Sequence, residues 1–267
     1  MKDLRTRSLT GLVYVALTIG AGLAGPLTTF LLFLPVAMIS ATELRKLMLG
    51  DAGKGYTESA LMAGAAYAAI GLGSLSTFLS PAIGAAILLF LFLVRSVVVL
   101  RSPGPDTALR IGASTLELVL VALPFALLPH LSAMGHPYFL GAMVQLWTAD
   151  TGGYVVGNLV GRTKLMPAVS PGKSVEGLIG GIVLTLGTAL LLARVWPVLD
   201  GWQWAVAGFA IAISGAIGDL LESGLKRARG VKDSGTILPG HGGMLDRFDG
   251  LLLAVPAFYL YLLILQA

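Results

Sequence analysis

The stretch PAIGAAILLFLFLVRSVVVL, Pro81–Leu100, carries a single charged side chain, Arg95, in 20 residues. A helix of roughly 20 apolar residues spans the hydrocarbon core of a bilayer. In lipid, every backbone N–H and C=O must be paired internally, which only helices and closed barrels achieve. The stretch does not alternate between polar and apolar side chains, as a barrel strand does. It therefore predicts a transmembrane helix.

The composition extends this prediction to the whole chain of 267 residues. Hydrophobic residues make up 56% of the sequence and charged residues 12%, whereas soluble domains carry about 25% charged residues. We therefore expect an all-α polytopic membrane protein with about nine transmembrane helices. The nine apolar runs are 9–24, 26–41, 59–79, 81–100, 107–131, 138–160, 174–196, 203–223 and 245–267. The Gly25-Pro26 pair between the first two runs is either a tight turn or a kink.

The basic residues lie almost entirely on one side of the predicted membrane. When the connections are numbered alternately, 17 of the 18 lysines and arginines fall on one side, and only Arg194 falls on the other. Because cytoplasmic loops are enriched in Lys and Arg, we expect a cytoplasmic N-terminus and an external C-terminus. The long polar loops, and with them the active site, would face the cytosol from the cell (inner or plasma) membrane.

The N-terminus has a feature of secretory signals, because Lys2, Arg5 and Arg7 precede an apolar run. That run leads directly into a second one, so we interpret the two as the first hairpin of a multi-span protein.

Several classes of site are disfavoured by composition. The chain has no cysteine, which excludes disulfides and thiolate metal sites. Its net charge of +4 comes from short basic clusters between apolar runs, so we expect no nucleic-acid binding. The unusual polar residues are concentrated late in the chain. We therefore predict an N-terminal scaffold of about five helices over residues 1–137 and a catalytic half of about four helices over residues 138–267, within one integral membrane domain.

The segment 218–249 reads GDLLESGLKRARGVKDSGTILPGHGGMLDRFD. Asp219, Glu222, Ser223 and Lys226 are spaced to share one face of the eighth predicted helix. Acidic groups inside a membrane span are costly and usually face the bundle interior or a water-filled cavity. This face is therefore a candidate site.

The rest of the segment combines cations, glycines and two more acids. The cations are Lys226, Arg227, Arg229 and Lys232, and the glycine-rich turn runs from Pro239 to Gly243. Glycines allow backbone N–H groups to approach an anion closely. Asp246 and Asp249 lie three residues apart, which predicts a shared face near the positive end of the ninth helix. Mg²⁺ takes a few carboxylates and leaves positions for phosphate oxygens, so this set fits a polyphosphate with a divalent metal.

A second group of polar residues lies in 150–181, DTGGYVVGNLVGRTKLMPAVSPGKSVEGLIGG. Asp150 is an intramembrane carboxylate and a candidate site residue. Ser170-Pro171 predicts a helix N-cap followed by proline, which would place Lys173 in a first turn that favours phosphate. A P-loop is excluded, because Pro167 stands where that motif needs glycine.

Glycines recur every four residues along the sixth predicted helix, at positions 153, 157 and 161. We interpret this face as a helix-packing surface. It could pack within one chain or between two copies, so a homodimer stays open.

The pattern S-x-x-K-R-x-x-x-x-K-D, followed by L-P-x-H-G-G-x-x-D-R-x-D and ending at Asp249, closely resembles the signature of phosphatidate cytidylyltransferases (CDP-diacylglycerol synthases). The upstream DTGGY and SPGKSVEG elements resemble the same family, so the similarity covers about residues 138–267. Two positions depart from the pattern. Gly172 replaces a common second lysine, which removes a cation from the phosphate loop, and Ser174 replaces a threonine but keeps the hydroxyl.

The resemblance implies a nucleotidyltransferase of phospholipid biosynthesis. It would transfer CMP from CTP to phosphatidate, a membrane lipid, with Mg²⁺ as cofactor, giving CDP-diacylglycerol and pyrophosphate. The candidate catalytic residues are Asp219, Lys226, Asp246 and Asp249. The candidate metal ligands are Asp219, Asp246, Asp249 and, more weakly, Asp150. The candidate substrate-binding residues are Lys173, Ser170, Ser223, Arg227, Lys232, His241, Gly242 and Gly243, and Glu222 would support the metal ligands.

Three other functions remain as alternatives. A secondary transporter would use Asp150 and Asp219 for ion coupling, but such folds show paired halves, whereas here the polar groups lie in one half. A related transferase would use CTP with another lipid, such as a polyprenol or an ether-linked phosphate. A membrane scaffold without catalysis would have no need of clustered intramembrane carboxylates.

Overall fold

In a computed structural model of the protein, residues 2–50, 55–75, 81–238 and 242–266 are described. These residues form helices joined by short connections, with one small β-hairpin between two of them. The helices are α1 Lys2–Ala24, α2 Pro26–Leu49, α3 Tyr56–Gly71, α4 Pro81–Leu100, α5 Thr107–Leu116, α6 Leu123–Met134, α7 His136–Val160, α8 Val175–Val195, α9 Gly201–Ala228, α10 Leu245–Phe248 and α11 Leu251–Gln266. A 3₁₀ turn, Leu72–Ser74, follows α3, and a π-helical segment, Glu117–Ala122, joins α5 to α6. The hairpin strands are β1 Lys164–Met166 and β2 Ser170–Ser174.

Over the residues that the structure describes, each predicted apolar run coincides with a helix or with consecutive helices. Among the described residues, six helical stretches are long and apolar enough to cross a membrane. They are Pro26–Leu49, Ile83–Leu100, Thr107–Met134, Val175–Val195, Gly201–Ala228 and Leu245–Gln266. The apolar part of α1 is short, α3 has 16 residues, and α7 carries Gln145, Asp150 and Asn158. A helical membrane protein is therefore confirmed, and the count of nine spans stays a prediction.

The chain divides into two compact units. The first unit comprises Met1–Met134 and Ala228–Phe248, and the second comprises Gly135–Arg227 and Asp249–Ala267. The segment that carries Asp246 thus belongs with the N-terminal helices.

In the first unit, a tight turn at Gly25 joins α1 to α2. Of the two interpretations of Gly25-Pro26, a tight turn or a kink, the structure shows the turn. Gly25 has a φ of 109°, which favours glycine, and proline begins α2 at the position where its missing N–H costs nothing. The Thr28 and Thr29 hydroxyls donate to the carbonyl oxygen of Ala21 near the end of α1.

Two interior contacts hold the first unit together. Arg45 of α2 donates to the Glu117 carboxylate at 2.7 Å, and both side chains are almost completely buried. Phe248 of α10 makes edge-to-face contacts with Phe33 and Phe125, at ring-centroid distances of 5.8 and 5.2 Å. The aromatic contacts tie α10 to the N-terminal helices.

The second unit is built on a close approach of α7 and α8. A Cβ atom at Gly177 would lie 2.8 Å from the Gly153 carbonyl oxygen and 3.2 Å from the Gly157 Cα. The packing role predicted for these two glycines is confirmed, since only glycine lets the helix backbones meet there. On α9, Trp204 is fully buried and stacks on Phe258 of α11 at 6.2 Å.

The structure corrects the start of the seventh predicted helix, which is α8. Ser170 does not cap a helix, because Ser170–Ser174 forms strand β2, paired antiparallel with β1. The N-cap is Ser174, whose hydroxyl accepts the Gly177 N–H at 3.1 Å. Both serines precede apolar residues, and the hairpin pairing decides between them. Lys173 therefore lies at the end of a strand, before the first turn of α8.

The structure also corrects the predicted ninth helix. Asp246 lies in the four-residue helix α10, whereas Asp249 lies in a turn before α11 begins at Leu251. The two aspartates therefore do not sit on one continuous helix. The Asp249 carboxylate accepts the Gly250 N–H at 2.7 Å, a local bond that competes with helix continuation.

We predict that Gly181→Ala destabilises the protein by about 1–3 kcal/mol, the usual cost of overpacking. A Cβ atom there would lie 2.7 Å from the Ala149 carbonyl oxygen, and backbone cannot move aside easily. Gly187→Ala is the matched control on the same helix, because nothing lies within 4 Å of its Cβ position. Thermal unfolding in detergent should separate the two variants. Equal melting temperatures would contradict the close α7–α8 packing.

Candidate active site

The second unit contains a cavity of about 360 Å³, lined by α7, the hairpin, the start of α8 and α9. Its charged lining residues are Asp150, Lys173 and Asp219, and Ser170 adds a hydroxyl. Most of the remaining wall is glycine, alanine and leucine. The cavity therefore combines a polar cluster with a small-residue apolar surface, a combination typical of ligand sites.

An ion pair joins the hairpin to α9 at this cavity. The Lys173 Nζ lies 2.5 Å from Asp219 Oδ2, and the two side chains are 28% and 34% exposed. The Ser223 hydroxyl donates to Asp219 Oδ1 at 3.1 Å, one turn along α9. The helix face predicted from the spacing of these residues is therefore observed. A partly exposed ion pair of this kind contributes little to stability, since water screens it.

Three predicted carboxylates lie within electrostatic range of one another in the second unit. Asp150 and Asp249 each interact with Asp219. Gly218, the residue before Asp219, permits the close approach of Asp249, because a Cβ at Gly218 would lie 2.5 Å from the Asp249 carbonyl oxygen. The sequence predicted Asp219 and Asp249 as candidates on two different helices. The close contact between Gly218 of α9 and the Asp249 backbone brings them together.

Lys226 and Arg227, near the C-terminal end of α9, make different contacts. Lys226 forms an ion pair with Glu222, and both side chains are buried. Lys226 also interacts electrostatically with Asp249. Arg227 donates to the Val169 carbonyl oxygen at 3.3 Å, which holds the turn just before Ser170. Lys226 thus interacts with carboxylates, whereas Arg227 holds the turn of the hairpin.

The first unit contains the predicted residues Lys232, Gly242, Gly243 and Asp246. Asp246 Oδ2 accepts the Ser234 N–H at 2.8 Å and the Gly243 N–H at 2.7 Å. Gly242 has a φ of 79°, and a Cβ there would lie 2.7 Å from Asp246 Oδ2. The two glycines are therefore needed to wrap the chain around the aspartate. Lys232 lies in this segment and is exposed. His241 lies outside the described residues.

Glu43 is a residue that the sequence analysis missed. Its carboxylate accepts the N–H groups of Met244 at 3.0 Å and Leu245 at 2.8 Å, at the start of α10. The predicted second run ended at Ala41, which left Glu43 among loop residues, whereas α2 continues to Leu49. An acid directly following an apolar run was the available signal.

The donor set of the second unit fits magnesium. Within the described parts of the chain, no group of three or more His, Asp or Glu side chains is arranged to hold a metal ion. Magnesium does not require such a cage, since it binds through one or two carboxylates and completes its coordination with water and substrate phosphates. Asp219, which interacts electrostatically with Asp150 and Asp249, offers carboxylate oxygens for this mode of binding.

Comparison of the chain with known proteins identifies its family. The model of the cytidylyltransferase family matches residues 5–265. The chain belongs to the cytidylyltransferase family. The resemblance predicted from the C-terminal half is thereby confirmed, and the match extends it to the N-terminal helices that looked like scaffold alone.

Individual members of the cytidylyltransferase family align with part of the chain. A phosphatidate cytidylyltransferase of Staphylococcus haemolyticus is 45% identical over 130 residues, 48% of this chain and 50% of the relative. The Bacillus subtilis phosphatidate cytidylyltransferase is 41% identical over 158 residues, 57% of this chain and 58% of the relative. The Staphylococcus saprophyticus phosphatidate cytidylyltransferase is 39% identical, over 55% of this chain and 57% of the relative. The chain thus spans about half the length of the curated relatives it matches.

We predict that Asp219→Asn abolishes cytidylyl transfer while the protein stays folded. The amide keeps the size of the side chain but removes the charge that pairs with Lys173. Asp200→Asn, at an exposed position outside the cavity, is the matched control. Turnover of labelled CTP and the melting temperature in detergent should be measured together. Retained turnover in Asp219→Asn would remove this residue from the site.

Proposed function

We propose that the protein is a CTP:phosphatidate cytidylyltransferase that forms CDP-diacylglycerol and pyrophosphate. The observation that carries the proposal is the Lys173–Asp219 ion pair on the wall of a cavity whose other lining is mostly small and apolar. A reaction between a nucleoside triphosphate and a lipid needs a charged centre beside an apolar surface. Family membership and the names of the curated relatives support the same reaction.

The proposed chemistry is an in-line displacement at phosphorus. A phosphate oxygen of phosphatidate attacks the α-phosphorus of CTP, and the bond to the β-phosphate oxygen breaks to release pyrophosphate. The second pKa of a phosphomonoester is about 6, so the attacking group is largely ionised at neutral pH. The reaction therefore needs positioning and charge neutralisation more than a strong general base.

In this proposal, the side chains of the cavity divide the work. Lys173 leaves Asp219 and binds a phosphate of CTP, which frees the aspartate oxygen as a ligand. Ser170 and Arg227 hold the hairpin side of the nucleotide, and Ser223 keeps Asp219 oriented through its hydrogen bond. The sequence signature adds Asp246 as a metal ligand, and Lys232, His241, Gly242 and Gly243 as nucleotide contacts. Bound Mg²⁺ would supply charge neutralisation on the polyphosphate.

The proposed placement is a nine-span protein of the cell membrane with its N-terminus and active site on the cytoplasmic side. CTP is a polar solute, whereas phosphatidate keeps its acyl chains in lipid and its phosphate at the interface. A site at the cytoplasmic ends of the helices serves both substrates. The distribution of basic residues supports this orientation.

We predict that purified protein converts labelled CTP and phosphatidate to CDP-diacylglycerol and pyrophosphate only when Mg²⁺ is present. EDTA should abolish the reaction, and excess Mg²⁺ should restore it. Product with a polyprenyl phosphate or an ether-linked phosphate, but none with phosphatidate, would move the assignment to another lipid acceptor. Absence of any CDP-lipid with all of these acceptors would refute the proposed function.

We predict that Lys173→Met lowers kcat/KM for CTP by about 100-fold, as loss of one donor to a developing charge typically does. Lys164→Met, at an exposed position on the paired strand β1 and outside the cavity lining, is the matched control. Steady-state kinetics with varied CTP should show the difference. Similar losses in both variants would indicate general electrostatic attraction rather than a specific phosphate contact.

The predicted orientation can be checked with single cysteines, because the chain has none of its own. Ser102→Cys lies in the α4–α5 connection, and Asp200→Cys lies just before α9. In right-side-out vesicles, an impermeant thiol reagent should label the cysteine introduced at Asp200 and leave that at Ser102 unlabelled. The reverse pattern would invert the topology.

A further inference from the structure

The N-terminal helix α2 reaches into the segment that carries Asp246. Glu43, near the end of α2, is 7% exposed and accepts hydrogen bonds from the Met244 and Leu245 N–H groups at 3.0 and 2.8 Å. These N–H groups lie at the N-terminus of α10, where no intrahelical acceptor exists. Glu43 therefore provides a capping carboxylate to α10 from a distant part of the sequence.

A serine connects Glu43 with Asp246. The Ser234 hydroxyl lies 3.1 Å from Glu43 Oε2 and 2.9 Å from Asp246 Oδ2. A hydroxyl has one proton, so it donates to one of the two carboxylates at a time. Asp246, 8% exposed, keeps its bonds to the N–H groups of Ser234 and Gly243 in either case. The position of Asp246 is thus set by a hydrogen-bond network in which the Ser234 hydroxyl lies between Asp246 and Glu43.

The backbone around Glu43 leaves room for this side chain only because of two glycines. A Cβ at Gly235 would lie 2.8 Å from Glu43 Cδ, and a Cβ at Gly243 would lie 2.6 Å from Glu43 Oε2. Real Cβ atoms are not found at such distances, so a larger residue at either position would displace the carboxylate. Phe248 fixes the other end of α10 through its contacts with Phe33 and Phe125.

We infer that Glu43 is a positioning residue for Asp246, so that helix α2 orients an acidic side chain that lies about 200 residues later in the sequence. The inference rests on the proposed function, in which Asp246 is a metal ligand. Residues that orient metal ligands typically change metal affinity or activity by about 10- to 100-fold when mutated. Glu43→Gln replaces one acceptor oxygen by an NH₂ donor, which cannot accept from the Met244 or Leu245 N–H.

Three measurements on the full chain in detergent test this inference. In Glu43→Gln, hydrogen–deuterium exchange should become faster in peptides from residues 242–248 and stay unchanged in α7–α9. The Kd for Mn²⁺, measured by electron paramagnetic resonance without nucleotide, should rise about 10- to 100-fold. The Mg²⁺ concentration for half-maximal turnover should rise by a similar factor, and high Mg²⁺ should restore part of the activity.

Glu58→Gln is the matched control, since Glu58 is an acid of the same unit that pairs with Arg95 and is 61% exposed. It should leave all three measurements at their wild-type values. Gly235→Ala is the second test variant, because it displaces the Glu43 carboxylate without changing any charge. It should reproduce the effects of Glu43→Gln on exchange and on Mn²⁺ binding.

Wild-type exchange and Mn²⁺ binding in Glu43→Gln would overturn the inference. Global loss of folding in both Glu43→Gln and Gly235→Ala would overturn it as well, since Glu43 would then be a residue of the folding core. A wild-type protein that forms no CDP-lipid would instead refute the proposed function, and the exchange and Mn²⁺ measurements would still decide the role of Glu43.

Discussion

The ion pair between Lys173 and Asp219 joins the hairpin after α7 to the middle of α9. A carboxylate in an apolar helix is costly unless a cation or several hydrogen-bond donors satisfy it. Two features of the second unit meet this requirement: the hairpin that presents Lys173, and the Ser223 hydroxyl one turn along α9. In the proposed reaction, a polyphosphate replaces Asp219 as the partner of Lys173.

Glycine has two distinct uses around the candidate site. Between α7 and α8, glycines at positions 153, 157 and 177 let the two helix backbones approach each other. The same three glycines line the cavity. Around Asp246, Gly242 and Gly243 let the backbone wrap a carboxylate closely enough for an N–H to reach it. In the first case the missing Cβ permits packing, and in the second it permits hydrogen bonding.

Glu43 contacts a segment that lies far from it in the sequence. Glu43 accepts hydrogen bonds from the N–H groups of residues that lie 201 and 202 positions later in the sequence. Capping of α10 from another helix replaces the usual local N-cap, and the aromatic contacts of Phe248 hold the other end. The match of the family model covers both the helix that carries Glu43 and α10.

The sequence by itself determined the helical membrane class, the family, and the residues of the α9 face. Each of these depends on local composition or on spacing along one helix, such as the four-residue step from Asp219 to Ser223. Only the tertiary structure decided that Ser174 rather than Ser170 caps α8, that a turn separates Asp246 from Asp249, and that Glu43 holds the start of α10. Those features depend on strand pairing, on local side-chain bonds that interrupt a helix, and on contacts between residues far apart in sequence. No periodicity in a single segment encodes such contacts, because each partner satisfies hydrogen-bonding groups in another segment.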